Sequence, residues 1–314
     1  MADDTAYDGY FADPFVLRLD DGSYAAYGTN PAAGGDRVFE ALWSPDLVRW
    51  ESRGSVLGRL GTEYGDEYWA PEVMRRDGAY WLYYSVGRGI EGHHIRVARS
   101  DDPFGPFVDL DLNLTPDAPF AIDAHPFIDD DGTAYLFFAR DVTDTARPGT
   151  QLAVAPLVTP TTLGPVTTAL EPNADWQLYE RDRPMYGATL AWHTIEGPSV
   201  VQRGGRYWMT YSGGAWTGDG YAVSWAAADS PLGPWQHAPA DVPPVLSTVP
   251  GLIGPGHNSL VVAPDGHDAI AFHAWDDAHA ARRMHVRRIS FEPEGPRVDG
   301  PIRGSSTPPD VTTK

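Results

Sequence analysis

The sequence contains no cysteine among its 314 residues. This absence excludes a disulfide scaffold, thiolate zinc sites and a cysteine nucleophile. No run of 18 apolar residues occurs, which argues against a membrane-spanning helix. The first ten residues also lack the basic and apolar regions of a signal peptide. The sequence therefore predicts a cytoplasmic protein, or a secreted one whose leader has been removed.

Basic residues are scarce as well. The chain has 23 Lys and Arg against 43 Asp and Glu, a formal net charge of −20. Such an acidic surface repels phosphate backbones and anionic lipids, so we expect neither nucleic acid nor a membrane as a partner. Because 42% of the residues are hydrophobic and 12% aromatic, the composition favours a globular protein with a neutral ligand over a disordered acidic chain.

Long helical patterns are rare, and short strand-like runs follow recurring tight-turn signals instead. The signals are Asp-Gly or Gly-Gly dipeptides with the glycines Gly22, Gly78, Gly132, Gly205 and Gly266. Their spacings of 56, 54, 73 and 61 residues describe one unit repeated five times, which a two-sheet sandwich does not predict. Units of this kind are typical of propellers. The sequence predicts an all-β, five-bladed β-propeller over residues 1–302, with four antiparallel strands per blade, and a loose tail over 303–314.

The innermost strands of a propeller line one central channel, so equivalent residues of successive blades converge there. The residues nine positions before the turn glycines are Asp13, Trp69, Asp123, Glu196 and His257. Carboxylates clustered without partners are costly, and we interpret this shared position as functional. Paired carboxylates in an aromatic pocket are typical of glycosidic bond cleavage, where one acid is protonated and another ionised. The pattern predicts a site for a neutral oligosaccharide.

Five short motifs, one in each unit, resemble those of glycoside hydrolase family 43. They are Ala-Asp13-Pro, Trp69-Ala-Pro-Glu72, Ile-Asp123, Glu196-Gly-Pro and Gly256-His257-Asn-Ser. The resemblance extends from Tyr10 to about Pro296. It implies a five-bladed propeller that acts on arabinan, arabinoxylan and related furanosides and xylosides by an inverting mechanism.

The resemblance also implies a role for each acid. Asp13 is similar to the general base that deprotonates water, and Glu196 is similar to the general acid. Asp123 is similar to the third carboxylate, which orients Glu196 and raises its pKa. His257 resembles a channel histidine that helps hold a water-ligated calcium ion or orients a nearby acid. No cofactor is expected to be required, with a structural Ca²⁺ in the central channel as an option.

Other side chains are candidates for contacts with the sugar. Trp69, Trp192 and Trp216 offer flat apolar faces for sugar C–H groups. His125 follows Asp123 by two residues and is expected on the same strand face.

Four further features are interpreted as structural. Glu72 lies six residues before its turn glycine, out of phase with the other acids. Asp129–Asp131 is predicted to be a hairpin tip, since its spacing does not suit a calcium loop. His93-His94 is predicted to be a loop pair, and Arg282-Arg283 is interpreted as part of a charge-balanced outer strand, outside the site.

The expected substrate follows from length and from the missing export signal. No length remains for the extra β-sandwich of many β-xylosidases of the family, which favours the single-domain, arabinofuranoside-active members. We therefore predict an inverting hydrolase that releases terminal α-L-arabinofuranosyl residues from arabinan or arabinoxylan oligosaccharides. The alternatives are a β-D-xylosidase or endo-arabinanase of the same fold and, more distantly, a non-catalytic sugar-binding propeller. A retaining fructosidase-like propeller is disfavoured, because its Asn-Asp-Pro-Asn and Glu-Cys motifs are missing.

Overall fold

The computed structural model describes residues 5–30, 35–89 and 91–302. In these ranges the chain is built from β-strands and two short 3₁₀ turns, and none of its helical segments has the length and apolar character needed to cross a bilayer. The tail predicted over 303–314 lies outside the described residues. The first strand, β1 (Thr5–Tyr7), belongs to the last blade of the chain.

The first two blades are each made from four consecutive antiparallel strands. Blade 1 comprises β2 (Ala12–Arg18), β3 (Tyr24–Thr29), β4 (Arg37–Ser44) and β5 (Glu51–Gly58). The 3₁₀ turn Thr62–Tyr64 leads into blade 2, which comprises β6 (Glu67–Arg76), β7 (Ala79–Arg88), β8 (Glu91–Ser100) and β9 (Val108–Asn113).

Blades 3 and 4 carry additional short strands. Blade 3 comprises β10 (Ala121–Ile128), β11 (Ala134–Val142), β12 (Gly149–Thr159), β13 (Thr162–Leu163) and β14 (Thr167–Leu170). A 3₁₀ turn, Asp175–Gln177, precedes blade 4, which comprises β15 (Leu178–Met185), β16 (Ala188–Arg203), β17 (Arg206–Gly213), β18 (Ala222–Ala228) and β19 (Gln236–His237). The innermost strand β16 extends past its blade and pairs there with β15 as a hairpin and with β12 in parallel.

Blade 5 joins the two ends of the described chain. It comprises β20 (Ile253–Val262), β21 (Asp268–Trp275), β22 (Arg282–Glu292) and β23 (Gly295–Pro301), together with β1. Strand β1 pairs antiparallel with β22, where Thr5 lies opposite His285. The five innermost strands β2, β6, β10, β16 and β20 contact one another in a closed ring. The all-β, five-bladed propeller is confirmed, but one outer strand of its last blade comes from the start of the chain.

The hydrophobic core is divided among the interfaces between neighbouring blades. Successive side chains of a strand point to opposite faces of the sheet, so one strand supplies two interfaces. Phe137 packs towards blade 4, whereas Phe138 packs towards blade 2. In the same way Tyr84 faces blade 1 and Tyr83 faces blade 3. Apolar residues on both faces therefore hold the ring together and leave its axis to polar side chains.

Each innermost strand has a β-bulge at an equivalent place, and β20 has a second register shift between Ile253 and Gly256. The bulged residues have positive φ angles of 51°, 48°, 59°, 57° and 42° and are Asp13, Ala70, Asp123, Gly197 and His257. Four of the five are not glycine, and this backbone conformation costs such residues about 1–3 kcal/mol. Strain of this kind concentrates at functional sites, and bulges redirect side chains there.

The bulges correct the position inferred by counting from the turn glycines. Counting nine residues back from the turn glycine reaches the bulge residue itself in blades 1, 3 and 5. In blades 2 and 4 the same count reaches the residue before the bulge. The difference arises at the hairpins, because Arg76 pairs with Ala79 across a two-residue turn whereas Arg18 pairs with Tyr24 across a longer one. Trp69 therefore precedes its bulge, and Glu196 precedes the bulge at Gly197.

Candidate active site

A cavity of about 410 Å³ lies where the innermost strands meet, and all five blades contribute to its wall. Six of the eight residues predicted from the sequence line it: Asp13, Trp69, Asp123, Glu196, Trp216 and His257. Acids from three different blades thus face one volume, as the repeat predicted. The other two predicted residues, Trp192 and His125, lie elsewhere.

Asp13 is buried among positively charged or polar partners. Its Oδ1 atom lies 3.2 Å from Arg282 Nη1, 3.3 Å from His273 Nδ1 and 3.5 Å from His257 Nδ1. Burial alone would raise the pKa of Asp13, but nearby positive charge, chiefly that of Arg282, lowers it well below the usual range. Asp13 is therefore ionised at neutral pH, which is the state that a general base requires.

Arg282 was excluded from the site in the sequence interpretation, and the structure corrects this. Its side chain is largely buried, donates to Asp13 Oδ1 at 3.2 Å and donates from Nε to the Tyr10 hydroxyl at 3.0 Å. The guanidinium also lies over the Trp216 ring, 4.7 Å from its centroid. Arg282 is the first residue of β22, and only the closure of the ring brings that strand end to blade 1.

Glu196 and Asp123 are a pair of acids on adjacent blades that face the same cavity. Glu196 Oε1 accepts a hydrogen bond from the Tyr221 hydroxyl at 2.7 Å, and Asp123 Oδ2 accepts one from the Gly197 N–H at 3.0 Å. Desolvation raises the pKa of Glu196 to about 7, with Asp13 adding to the effect. Desolvation and the charge of Glu196 raise the pKa of Asp123 well above its usual range. The pair therefore holds a proton near neutral pH, in contrast to Asp13.

His257 lies between two of these acids. Its Nδ1 atom is 3.5 Å from Asp13 Oδ1 and 3.8 Å from Asp123 Oδ2, and its backbone N–H donates to Ser212 Oγ. Burial lowers the pKa of His257, which favours a neutral ring. Within residues 5–30, 35–89 and 91–302, no three His, Asp or Glu side chains form a group that could hold a metal ion. These side chains do not fit a calcium ion bound directly by protein, which takes six to eight oxygen ligands.

Two indole rings in the cavity wall are supported from behind. Trp69 stacks on His93 with ring centroids 3.7 Å apart, and Trp216 stacks on Trp275 at 6.1 Å. His93 is fully buried within β8, so the prediction of a loop pair at His93-His94 is wrong. The rings are held rigidly by this stacking, which suits them to receive the apolar face of a sugar.

Trp192 and His125 were predicted to contact substrate, and the structure places both outside the cavity wall. Trp192 is only 1% exposed and packs behind the Arg183 guanidinium, whose centre is 5.6 Å from its ring centroid. His125 is buried, with Nδ1 2.7 Å from Glu72 Oε2 and with Nε2 accepting the Val200 N–H at 3.0 Å. Both ring nitrogens of His125 are thus occupied by the protein. Glu72 has the structural contact expected of it.

The hairpin tip predicted at Asp129–Asp131 is also observed. The Gly132 N–H donates to the Asp129 carbonyl, and the Thr133 N–H donates to Asp131 Oδ1. These bonds close a turn between β10 and β11, far along the blade from the cavity.

The wall residues that the sequence interpretation missed include Tyr179, Arg183 and Tyr221. The first two belong to β15, an element outside the four-strand repeat, so counting within the repeat could not find them. The Arg183 guanidinium lies 4.5 Å from the Tyr179 ring centroid, and its nearest carboxylate oxygen, Glu180 Oε2, is 4.0 Å away. Its donors are therefore available to oxygen atoms in the cavity.

This propeller brings an ionised carboxylate and a pair of acids that holds a proton near neutral pH into one aromatic-walled cavity, and that combination is typical of a glycoside hydrolase. The sequence profile of Glycosyl hydrolases family 43 matches residues 7–296, and the chain belongs to this family. The resemblance noted in the sequence motifs is thereby confirmed.

Named relatives cover nearly the whole chain. A β-D-galactofuranosidase of Aspergillus niger, xynD, is 31% identical over 94% of this chain and 83% of its own length. The α-L-arabinofuranosidase 43 of Humicola insolens is 27% identical over 95% of this chain, which spans 63% of that enzyme's length. The crystal structure of a thermostable family-43 glycoside hydrolase superimposes with a TM-score of 0.81 at 31% identity, covering 97% of this chain and 98% of that one.

Proposed function

We propose that this glycoside hydrolase releases terminal α-L-arabinofuranosyl residues from oligosaccharides with inversion of configuration. The observation that carries the proposal is that Asp13, beside Arg282, and Glu196, buried beside Tyr221, face one cavity from opposite electrostatic surroundings. Partner charges favour an ionised Asp13, whereas desolvation favours a protonated Glu196. Relatives named as arabinofuranosidases support the choice of substrate.

In the proposed mechanism Asp13 removes a proton from water as the water oxygen bonds to the anomeric carbon. The glycosidic C–O bond breaks, and Glu196 transfers its proton to the leaving oxygen. Asp123 accepts the Gly197 N–H beside Glu196 and orients the acid, and Tyr221 donates to Glu196 once the carboxylate forms. Such inversion requires room for water, with base and acid about 6.5–9.5 Å apart. Arg282 and His257 orient Asp13.

Two substitutions test the assigned roles. We expect Asp13→Asn to lower kcat by about 10²–10⁴-fold on every glycoside, because the base is lost. We expect Glu196→Gln to do so on disaccharides but much less on a dinitrophenyl glycoside, whose leaving group needs no proton. Asp131→Asn, at the exposed hairpin tip, is the matched control and should keep full activity. Equal losses for both classes of substrate in Glu196→Gln would contradict its role as the acid.

A second candidate function is β-D-galactofuranosidase activity, favoured by the Aspergillus niger relative. A panel of nitrophenyl α-L-arabinofuranoside, β-D-galactofuranoside and β-D-xylopyranoside distinguishes the candidates by kcat/KM. The proposal expects the arabinofuranoside to be preferred and the product anomer, followed by NMR, to be inverted. Comparing arabino-oligosaccharides with polymeric arabinan separates exo from endo cleavage. Sugar binding without hydrolysis of any member would support the non-catalytic alternative.

Two expectations from the sequence need separate experiments. A calcium ion held through water at His257 predicts that a chelator lowers the rate or melting temperature and that calcium restores it. No mechanistic step above depends on that ion. The cytoplasmic location is tested by fractionating cells that express the full gene, since a relative of Streptomyces avermitilis is named as extracellular.

A further inference from the structure

In each innermost strand, the backbone N–H of the bulge residue donates a hydrogen bond to a side chain of the preceding blade. In four blades the acceptor lies on the second strand of that blade. The four bonds run from Ala70 to Thr29 Oγ1 (2.8 Å), from Asp123 to Ser85 Oγ (3.1 Å), from His257 to Ser212 Oγ (2.7 Å) and from Asp13 to His273 Nδ1 (3.1 Å).

These acceptors share one position in the strand register. Each is paired with the residue immediately before the bulge of its own blade: Thr29 with Ala12, Ser85 with Trp69, Ser212 with Glu196 and His273 with Gly256. The repeated geometry shows that this position reaches the next bulge. A buried N–H without a partner is costly, which explains why an acceptor recurs there.

Blade 3 is the exception. The residue paired with Ile122 is Ala139, which has no acceptor atom. The bulge of the following blade, at Gly197, instead donates its N–H to Asp123 Oδ2 at 3.0 Å. The Asp123 carboxylate of blade 3 thus accepts the hydrogen bond that, in the other blades, a hydroxyl or imidazole of the second strand accepts.

We propose that Ala139 is a positioning residue: by leaving the Gly197 N–H without a hydroxyl partner, it commits the Asp123 carboxylate to the backbone next to Glu196. This inference rests on the proposed roles of the two acids. The residue before Gly197 in the strand is Glu196 itself, so the bond sets the distance between the two acids. Other charged or titratable groups that face Asp123 are Asp13, Glu72 and His257.

The first test adds an acceptor at residue 139. Ala139→Ser, or the larger Ala139→Thr that copies Thr29 of blade 1, offers a hydroxyl to Gly197 and releases Asp123. We expect kcat/KM for an arabinofuranosyl disaccharide to fall about tenfold, with less than about twofold change for a dinitrophenyl arabinofuranoside that needs no acid. Ala139→Val matches the shape of Thr without its hydroxyl and should leave the ratio of the two substrates unchanged. If the ratio of kcat/KM for the disaccharide to kcat/KM for the dinitrophenyl arabinofuranoside were the same in Ala139→Ser, Ala139→Thr and Ala139→Val, the proposal would be overturned.

The second test needs no activity. Asp123→Ala leaves the Gly197 N–H unpaired and should lower the melting temperature by about 2–4 °C. Adding Ala139→Ser or Ala139→Thr should recover most of this loss without restoring hydrolysis, whereas adding Ala139→Val should not. Equal melting temperatures for the Thr and Val double variants would show that Asp123 does not replace a hydroxyl. If the wild-type protein hydrolysed no glycoside, the proposed function would fail, while this comparison would still decide the contact.

Discussion

The hydrogen bond from Tyr221 to Glu196 controls the pH range in which the acid is protonated. The hydroxyl donates to Glu196 Oε1 at 2.7 Å and so stabilises the ionised carboxylate. It opposes the desolvation that raises the pKa of Glu196 to about 7. Tyr221→Phe removes this donor and keeps the ring, which stacks on His273. The pKa of Glu196 should therefore rise.

The size of the shift follows from the free energy of the lost bond. A hydrogen bond to a charged group contributes about 1.5 kcal/mol at the lower end of its range, and one pKa unit corresponds to about 1.4 kcal/mol. The alkaline limb of kcat/KM should move from about pH 7 to about pH 8. At pH 8 the wild-type acid would be about one-tenth protonated and the variant about one-half.

The assay is the pH dependence of kcat/KM on an arabinofuranosyl disaccharide between pH 4 and pH 10. The position of the alkaline limb is compared, since a changed plateau could have other causes. Tyr83→Phe is the matched control. The Tyr83 side chain packs between blades 2 and 3, and its hydroxyl donates to the Pro160 carbonyl, so its loss removes a tyrosine hydroxyl without touching Glu196. An alkaline limb that stays in place, or moves to lower pH, in Tyr221→Phe would refute the reasoning.

Three further predictions concern the cavity wall. Arg282→Met removes the main charge that lowers the pKa of Asp13, so this pKa should rise and the acid limb of kcat/KM should move to higher pH; an unmoved acid limb would contradict the assignment. Arg183→Met removes guanidinium donors whose charged partner among the described residues is Glu180, 4.0 Å away, and should lower kcat/KM for a disaccharide about tenfold or more, with circular dichroism confirming the fold. Trp69→Ala should raise KM about three- to tenfold with little change in kcat, and an unchanged KM would exclude stacking on this ring.

Much of the fold was predictable because a propeller repeats one backbone unit. Each turn glycine marks a hairpin between the first and second strands of a blade, so five signals in phase were enough to count the blades. The closure of the ring was not predictable in this way. Strand β1 pairs with β22 across nearly the full length of the chain, and three residues carry too little periodicity to reveal a partner.

The acids were found from the sequence because they occupy one repeated position, although the count was off by one residue at Trp69 and Glu196. Side chains outside that position were not found. The alternation that placed His125 beside Asp123 is broken by the bulge between Ile122 and His125, and the nitrogens of His125 are bound by Glu72 and Val200. The alternation of side chains along a strand indicates which way each one points, but it carries no information about which residues of other strands will contact it.

The amino-acid sequence by itself determined the number of blades, the family and the three carboxylates, since glycines, strand alternation and short motifs are local features of the chain. Only the tertiary structure decided the ionisation of those carboxylates. Asp13 is kept charged by Arg282 from the far end of the chain, and Glu196 is kept protonated by desolvation between blades. Electrostatic energies depend on distance and burial in space, and residues 269 positions apart become neighbours only when the ring closes.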